Sequence, residues 1–296
     1  MKIAYYPGCT LKTRAKNLED AALAALRVLG IAAVELPRWN CCGAVYSLTD
    51  DDLIHQVAPV RDLIRVKEQG AETVMTLCSM CYNTLARANR LMREDEEKRH
   101  TLNTFMDEEP DYHGEVEVHH LLTLLRDRIG WKTLAAKVRR PLTGLKVAPY
   151  YGCTLVRPRP VSIDPRPDQP TILDDFLRAL GAEPVDYPAR IECCGAYNIL
   201  SEPDAAHRAS ANVLASAERH GAELVITSCP LCEYNLGTCQ NQVLPHGEGL
   251  RPLPTLYFSQ LLALALGVGN EELGLELSPA SSLKLVAERI SPIHQA

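Results

Sequence analysis

The chain has 296 residues, room for two domains of ordinary size, and its 46% apolar and 23% charged content are globular values. A net charge of −6 without a basic run argues against a nucleic-acid partner. The longest apolar run, near residues 256–266, is too short for a membrane span of about 20 residues. The first cysteine motif follows Met1 too closely for a secretory signal, so a cytoplasmic protein is expected. With three Phe and two Trp, the core must be mostly Leu, Val, Ile and Ala. Eleven cysteines in a reducing compartment point to metal ligands or redox centres rather than structural disulfides.

Residues 2–6 read as a short buried strand ending at a Gly-Cys turn. A helix follows over residues 16–29, with Leu18, Ala22, Ala25, Leu26 and Leu29 on one face and Gly30 as its stop. Residues 31–36 make a second strand, and Pro37 leads into the loop of Cys41 and Cys42. A helical stretch over about 50–68, broken or kinked near Pro59, ends at Gly70. A third strand over 73–77 hands over through Cys78-Ser79-Met80-Cys81 to a helix beginning near Tyr82. That helix ends in the charged run 93–100, a solvated helix end, and the segment on to Gly114 reads as a surface loop. A helix over about 119–128, which His119 and His120 enter from a short strand-like run, and another over 131–139 close the half at Pro141.

The programme then restarts. Strand 145–151, helix 171–180 ending at Gly181, strand 183–186, helix 203–219 and strand 223–227 follow in order. Alternating strands and helices predict an α/β protein of two similar domains, residues 1–143 and 144–296, each a small parallel sheet flanked by helices. Internal repetition supports duplication: Leu26-Arg27-Val28-Leu29-Gly30 recurs as Leu177-Arg178-Ala179-Leu180-Gly181, and Gly70-Ala71-Glu72 as Gly221-Ala222-Glu223.

The cysteines repeat as well. In the first half 31 residues separate Cys9 from the pair Cys41-Cys42, and 35 residues separate that pair from Cys78 and Cys81. In the second half 39 residues separate Cys153 from Cys193-Cys194, and 34 residues separate that pair from Cys229 and Cys232. The offset between copies rises from 144 at the first cysteine to 152 at the pair, so eight extra residues lie between Cys153 and Cys193. The segment 157–170, with five prolines, is the natural place for them and reads as a stiff surface loop.

Each cysteine follows a strand or sits in a loop near a strand end, and in parallel α/β sheets those carboxyl ends gather at one ligand-binding edge. Cys9, Cys41, Cys42, Cys78 and Cys81 are therefore expected to converge at one site, and Cys153, Cys193, Cys194, Cys229 and Cys232 at another. Five thiolates exceed the four ligands of a structural zinc site. Adjacent side chains on an extended backbone diverge, whereas a polynuclear cluster accepts two neighbouring thiolates on different irons. Soft ligands leave iron–sulfur, zinc or dithiol chemistry, and the count favours iron–sulfur. Neither a C-x2-C-x2-C-x3-C-P run nor a G-x-G-x-x-G after a strand occurs, so the chain carries no ordinary ferredoxin module and no flavin or NAD site of that kind.

The duplicated pattern of one cysteine, an adjacent pair before Gly43 or Gly195, and a C-x-x-C resembles the cysteine-rich CCG domain of the heterodisulfide reductase B subunit, from Lys2 to about Gly267. The resemblance implies that each five-cysteine set binds a noncubane 4Fe-4S cluster, all ten cysteines being ligands, and that a small disulfide lies between the two clusters. Each cluster would deliver one electron and capture one sulfur; the reverse direction oxidises thiols. It also implies partners, a ferredoxin-like iron–sulfur subunit and a flavin-bearing subunit. CCG domains serve lactate, glycolate, glycerol-phosphate and succinate/fumarate oxidoreductases too, so a pure electron-transfer subunit is the alternative. A zinc-stabilised interaction protein is a third reading.

Other residues invite roles. His119, His120 and Tyr257 are candidates for donating a proton to a leaving thiolate, against a supporting or surface role. Tyr5, Tyr6, Tyr150 and Tyr151 flank the first cysteine of each set and are expected to pack there. Arg157 and Arg159 are expected to be solvated, with an anionic substrate as the other reading, and Cys239, the odd cysteine, a buried free thiol.

Overall fold

The computed structural model describes residues 1–44 and 53–290. Its first half contains β1 (Lys2–Tyr5), α1 (Lys16–Leu29), β2 (Ala32–Glu35), α2 (Val57–Glu68), β3 (Thr73–Thr76), α3 (Ser79–Glu94), α4 (Glu96–Phe105), β4 (Glu117–His120), α5 (Leu121–Leu124) and α6 (Trp131–Lys137). The second contains β5 (Lys146–Pro149), α7 (Ile172–Ala179), β6 (Glu183–Pro184), α8 (Pro203–Arg219), β7 (Leu224–Thr227), α9 (Pro230–Glu233), α10 (Gln240–Val243), β8 (Thr255–Tyr257), α11 (Phe258–Ala265) and α12 (Ala280–Leu285).

The strands pair in two four-stranded sheets, ordered β2-β1-β3-β4 and β6-β5-β7-β8. Every recorded pairing is parallel, with Ala4 opposite Val74 and Thr76 opposite His120 in one sheet, and Pro149 opposite Ile226 and Thr227 opposite Tyr257 in the other. Both faces of such a sheet are covered, which is why β7 is buried at all four positions. The duplicated α/β architecture expected from the sequence is the one observed.

Helix α1 keeps the expected face: Leu18, Ala22, Ala25 and Leu26 are at most 1% exposed, and Gly30 closes the helix with φ 75°. Each leucine so buried contributes about 1.5–3 kcal/mol. One apolar core runs through both halves. Helix α11, buried at all eight positions, joins them by packing on α1, where Ser259 Oγ donates to Leu18 O at 2.8 Å. The related pair, α5 of the first half and α7 of the second, also pack together.

Several local expectations change. The helical stretch expected over 50–68 begins partly outside the described residues; within them, a 3₁₀ turn at Leu53–Gln56 leads into α2. The expected loop before Gly114 contains α4, because Asp95 ends α3 and accepts from Lys98 N at 3.0 Å, capping a new helix inside the charged run. His119 and His120 end strand β4, as the strand-like run suggested, and the helix expected from about 119 starts only at Leu121. Edge strands of three or four residues are too short to show a period. The proline-rich segment is more than a surface loop. Val161 and Ile163 are buried, Asn83 Nδ2 donates to Arg157 O at 2.6 Å, and Arg126 donates to Ile163 O at 3.1 Å, so it straps the second half to the first.

Candidate metal centres

The topology places all ten cysteines at the carboxyl edges of the two sheets. Cys9 follows β1, Cys41 and Cys42 follow β2, and Cys78 caps the start of α3 directly after β3, with Cys81 one turn on. Cys153, Cys193, Cys194, Cys229 and Cys232 repeat this after β5, β6 and β7, with Cys229 at the start of α9.

Within each set the sulfurs form one connected chain in the same order. Cys9 Sγ lies 3.6 Å from Cys41 Sγ, Cys41 adjoins Cys42, Cys42 Sγ lies 3.7 Å from Cys81 Sγ, and Cys81 adjoins Cys78. In the second half Cys153 adjoins Cys193, Cys193 adjoins Cys194, Cys194 Sγ lies 3.5 Å from Cys232 Sγ, and Cys232 adjoins Cys229. The members of each pair differ in depth: Cys41 and Cys193 are exposed, Cys42 and Cys194 buried. Cys9 is exposed and Cys153 half-buried, while each C-x-x-C is buried, so both sets are anchored inside and open outward.

Two devices hold these loops. Tyr6 Oη donates to Asn40 O at 2.7 Å and Tyr150 Oη to Glu192 O at 2.8 Å. In each half, then, a buried tyrosine pins the carbonyl immediately before the cysteine pair. Tyr6 and Tyr150 thus pack at the sets as expected, with this specific task added, whereas Tyr5 Oη donates to Glu19 and Tyr151 Oη to Asp174. Gly8 sits at φ 74°, and a Cβ there would lie 2.7 Å from Cys81 Sγ, so any side chain would displace a thiol. Gly195, at φ 80°, leaves no room for a Cβ against Ala206 of α8. The same helix sends Ser210 Oγ to Cys194 O at 2.8 Å, and Asn235 Nδ2 donates to that oxygen at 3.0 Å.

Crowding couples the thiols of each set. Donation from Cys41 and Cys81 draws Cys42 well below the ordinary thiol range. In the second set the thiols of Cys153 and Cys194 draw Cys193 down to about 2, and Cys194 is in turn pushed up to about 12. Within each adjacent pair one thiol is lowered and the other raised, a shift that belongs to the coupled set rather than to either residue. Five connected sulfurs suit a soft metal centre and exceed what one tetrahedral ion takes.

The two sets adjoin. Ser79 N donates to Ser228 O at 3.2 Å, Thr154 Oγ1 to Ser79 Oγ at 3.3 Å, and Tyr197 Oη to Met80 Sδ at 3.4 Å. Ser79 and Met80 lie between Cys78 and Cys81, while Thr154, Tyr197 and Ser228 each lie within three residues of a cysteine of the second set. Asn83 adds a bond of 2.8 Å to Thr154 O. None of these residues was singled out from the sequence. Their signal was adjacency to the cysteines; the missing part was how the halves dock.

The three proton-donor candidates separate. His120 is buried with both ring nitrogens engaged by backbone, Nε2 at 2.8 Å from Leu77 O and Nδ1 accepting from Leu122 N at 3.2 Å, and burial pushes its pKa down to about 4. His119 lies beside Thr123 and Glu117, at 3.3 and 3.1 Å. Tyr257 ends β8 as His120 ends β4; burial raises its pKa well above the ordinary range, as do Glu233 and the nearby Cys229, Cys78 and Cys232. Its hydroxyl thus stays protonated in the field of both sets. Arg157 and Arg159 are exposed, and Cys239 is buried as a free thiol.

The chain is 33% identical to the 8-methylmenaquinol:fumarate reductase membrane anchor subunit of Wolinella succinogenes, covering 96% of this chain and 99% of that protein. It is 30% identical to the B subunit of the ferredoxin/F(420)H(2)-dependent CoB-CoM heterodisulfide reductase of Methanosarcina acetivorans, over 97% and 96% of the two chains. Among the described residues no helix is long and apolar enough to cross a membrane. A crystal structure of a hypothetical protein from Helicobacter pylori shares the fold with a TM-score of 0.75 at 15% identity; the match covers 94% of this chain and 51% of that one. The cysteine-rich CCG domain model matches residues 3–86 and 147–237. With one copy of that domain in each half, the chain belongs to the CCG cysteine-rich family that includes the heterodisulfide reductase B subunits.

Proposed function

We propose that this chain is the iron–sulfur subunit of a cytoplasmic reductase complex that reduces a small disulfide, or oxidises the corresponding thiols, between two noncubane 4Fe-4S clusters. The observation that carries this reading is the abutment of two connected five-thiol sets, whose C-x-x-C segments touch through Ser79 and Ser228. Cys9, Cys41, Cys42, Cys78 and Cys81 would hold one cluster in a domain of residues 1–143, and Cys153, Cys193, Cys194, Cys229 and Cys232 the other in residues 144–296. When bound, the clusters supply two one-electron centres, matching the two electrons that a disulfide requires.

The chain's own residues then have defined tasks. Tyr6 and Tyr150 fix the backbone before each cysteine pair, and Gly8 keeps space at Cys81. Cys9, Cys41 and Cys193 are exposed, so each set can be reached from solvent. Tyr257, protonated and buried near both, is the candidate to donate a hydrogen bond to developing thiolate charge. Electrons come from partners, a ferredoxin-like iron–sulfur subunit and a flavin-bearing subunit; the Wolinella and Methanosarcina relatives are both named as subunits of reductases.

The test is turnover. Anaerobically purified, cluster-loaded protein supplied with reduced viologen should consume a small organic disulfide and release thiols. A second reading, an electron-transfer subunit without disulfide chemistry, draws support from similarity to the fumarate reductase subunit. It predicts reversible reduction of both clusters with no effect of any disulfide or thiol on their spectra, and that result would displace the first reading.

A further inference from the structure

Outside the cysteine sets, one other group of metal-ligating side chains converges among the described residues. Asp204 and His207 lie three residues apart in the first turns of α8 and so share a face. His246 comes from a separate 3₁₀ turn, Leu244–His246, whose following residue Gly247 lies close to Ala211 of the same helix. Donor atoms of all three lie within 4.8 Å of one another. The two imidazoles face each other with centroids 5.6 Å apart and planes inclined by 43°. Among the described residues none of the three side chains has a hydrogen-bond or ion-pair partner.

We propose that Asp204, His207 and His246 form a binding site for a divalent transition-metal ion, of the zinc class, distinct from the cysteine-bound centres. Two imidazoles and one carboxylate are borderline donors that suit zinc, nickel or copper and are a poor set for calcium or magnesium. Ligands at about 2.1 Å from a tetrahedral ion lie about 3.4 Å apart, so donor atoms that lie within 4.8 Å of one another must close by up to about 1.4 Å. Exposed Asp204 and His246 and half-buried His207 can do so by rotation about their side-chain bonds. Three protein ligands leave a position for water or a further group. The ion would tie the 244–246 turn to α8, the helix whose other residues, Ala206 and Ser210, brace Gly195 and the carbonyl of Cys194.

The test titrates zinc chloride into cluster-loaded wild-type protein and into His246→Ala and Asp204→Ala, reading zinc stoichiometry, zinc-edge X-ray absorption and thermal unfolding. Wild type should bind one zinc beyond its clusters, with nitrogen and oxygen but no sulfur in the ligand shell, and melt at higher temperature when loaded. Both variants should keep wild-type iron and sulfide content and bind that zinc at least about tenfold more weakly. No added zinc in wild type, sulfur in its ligand shell, or equal binding by both variants would overturn the assignment. The readouts do not depend on the reductase reading, so failure of one leaves the other standing.

Discussion

The two halves hold five sulfurs in the same order, yet they support them differently. In the first, the C-x-x-C opens the 16-residue helix α3. In the second, Pro230 starts a helix of only four residues, followed by a π-helical turn over Tyr234–Thr238, where Gly237 leaves room for the buried Glu233 carboxylate. Asn83 of α3 reaches across to two carbonyls of the second half, whereas its repeat-related residue Tyr234 is exposed. At the end of the fourth strand the first half has His120 and the second Tyr257. Duplication has kept what grips the sulfurs and varied what surrounds them. The two sulfur sets are therefore alike in order and unlike in their surroundings.

The largest effect should come from breaking one copy. Cys194→Ser should lose the second cluster's iron and sulfide and keep the first, read by metal analysis and EPR; loss from both halves would dissolve the picture of separate sites. Next in size, Asn83→Ala removes the donor to Thr154 O and Arg157 O and should cost about 2 kcal/mol of unfolding free energy. The damage should fall on the second cluster, although the residue belongs to the first half. Tyr234→Ala, its counterpart, should change stability by less than about 0.5 kcal/mol.

A pH-dependent effect, smaller than that of Asn83→Ala, contrasts His120 with Tyr257. Burial holds the His120 pKa near 4, below the ordinary value of 6.5, so the folded state stays neutral while the unfolded chain takes up a proton. Stability is thus fully present above pH 6.5 and is lost as pH falls toward 4, by about 1 kcal/mol between pH 6.5 and 5.5. Denaturant unfolding at the two pH values should show this loss, and His120→Gln should remove it. Tyr257→Phe should leave the slope unchanged, because its hydroxyl is protonated throughout that range.

Much of the site was legible because cysteine spacing and strand ends are local features: all ten cysteines fall at the carboxyl edges, and helix 203–219 was read to the residue. Pro203 and Gly221 bound that helix plainly. Strands β4 and β8, with four and three residues, were too short to show a period beside the apolar helices that follow. Helix α4 was hidden in a charged run because its cap, Asp95, looked like one more solvated acid. The strap at 157–170 and the Ser79–Ser228 junction depend on how the halves dock, which no local pattern encodes.

The most direct measurement is iron and acid-labile sulfide per chain in anaerobically purified protein, combined with EPR before and after addition of a disulfide or thiol. Two four-iron clusters' worth of iron and sulfide, with EPR signals that change when the sulfur compound is added, is the predicted result. Colourless protein carrying zinc in place of iron at the cysteines would contradict it.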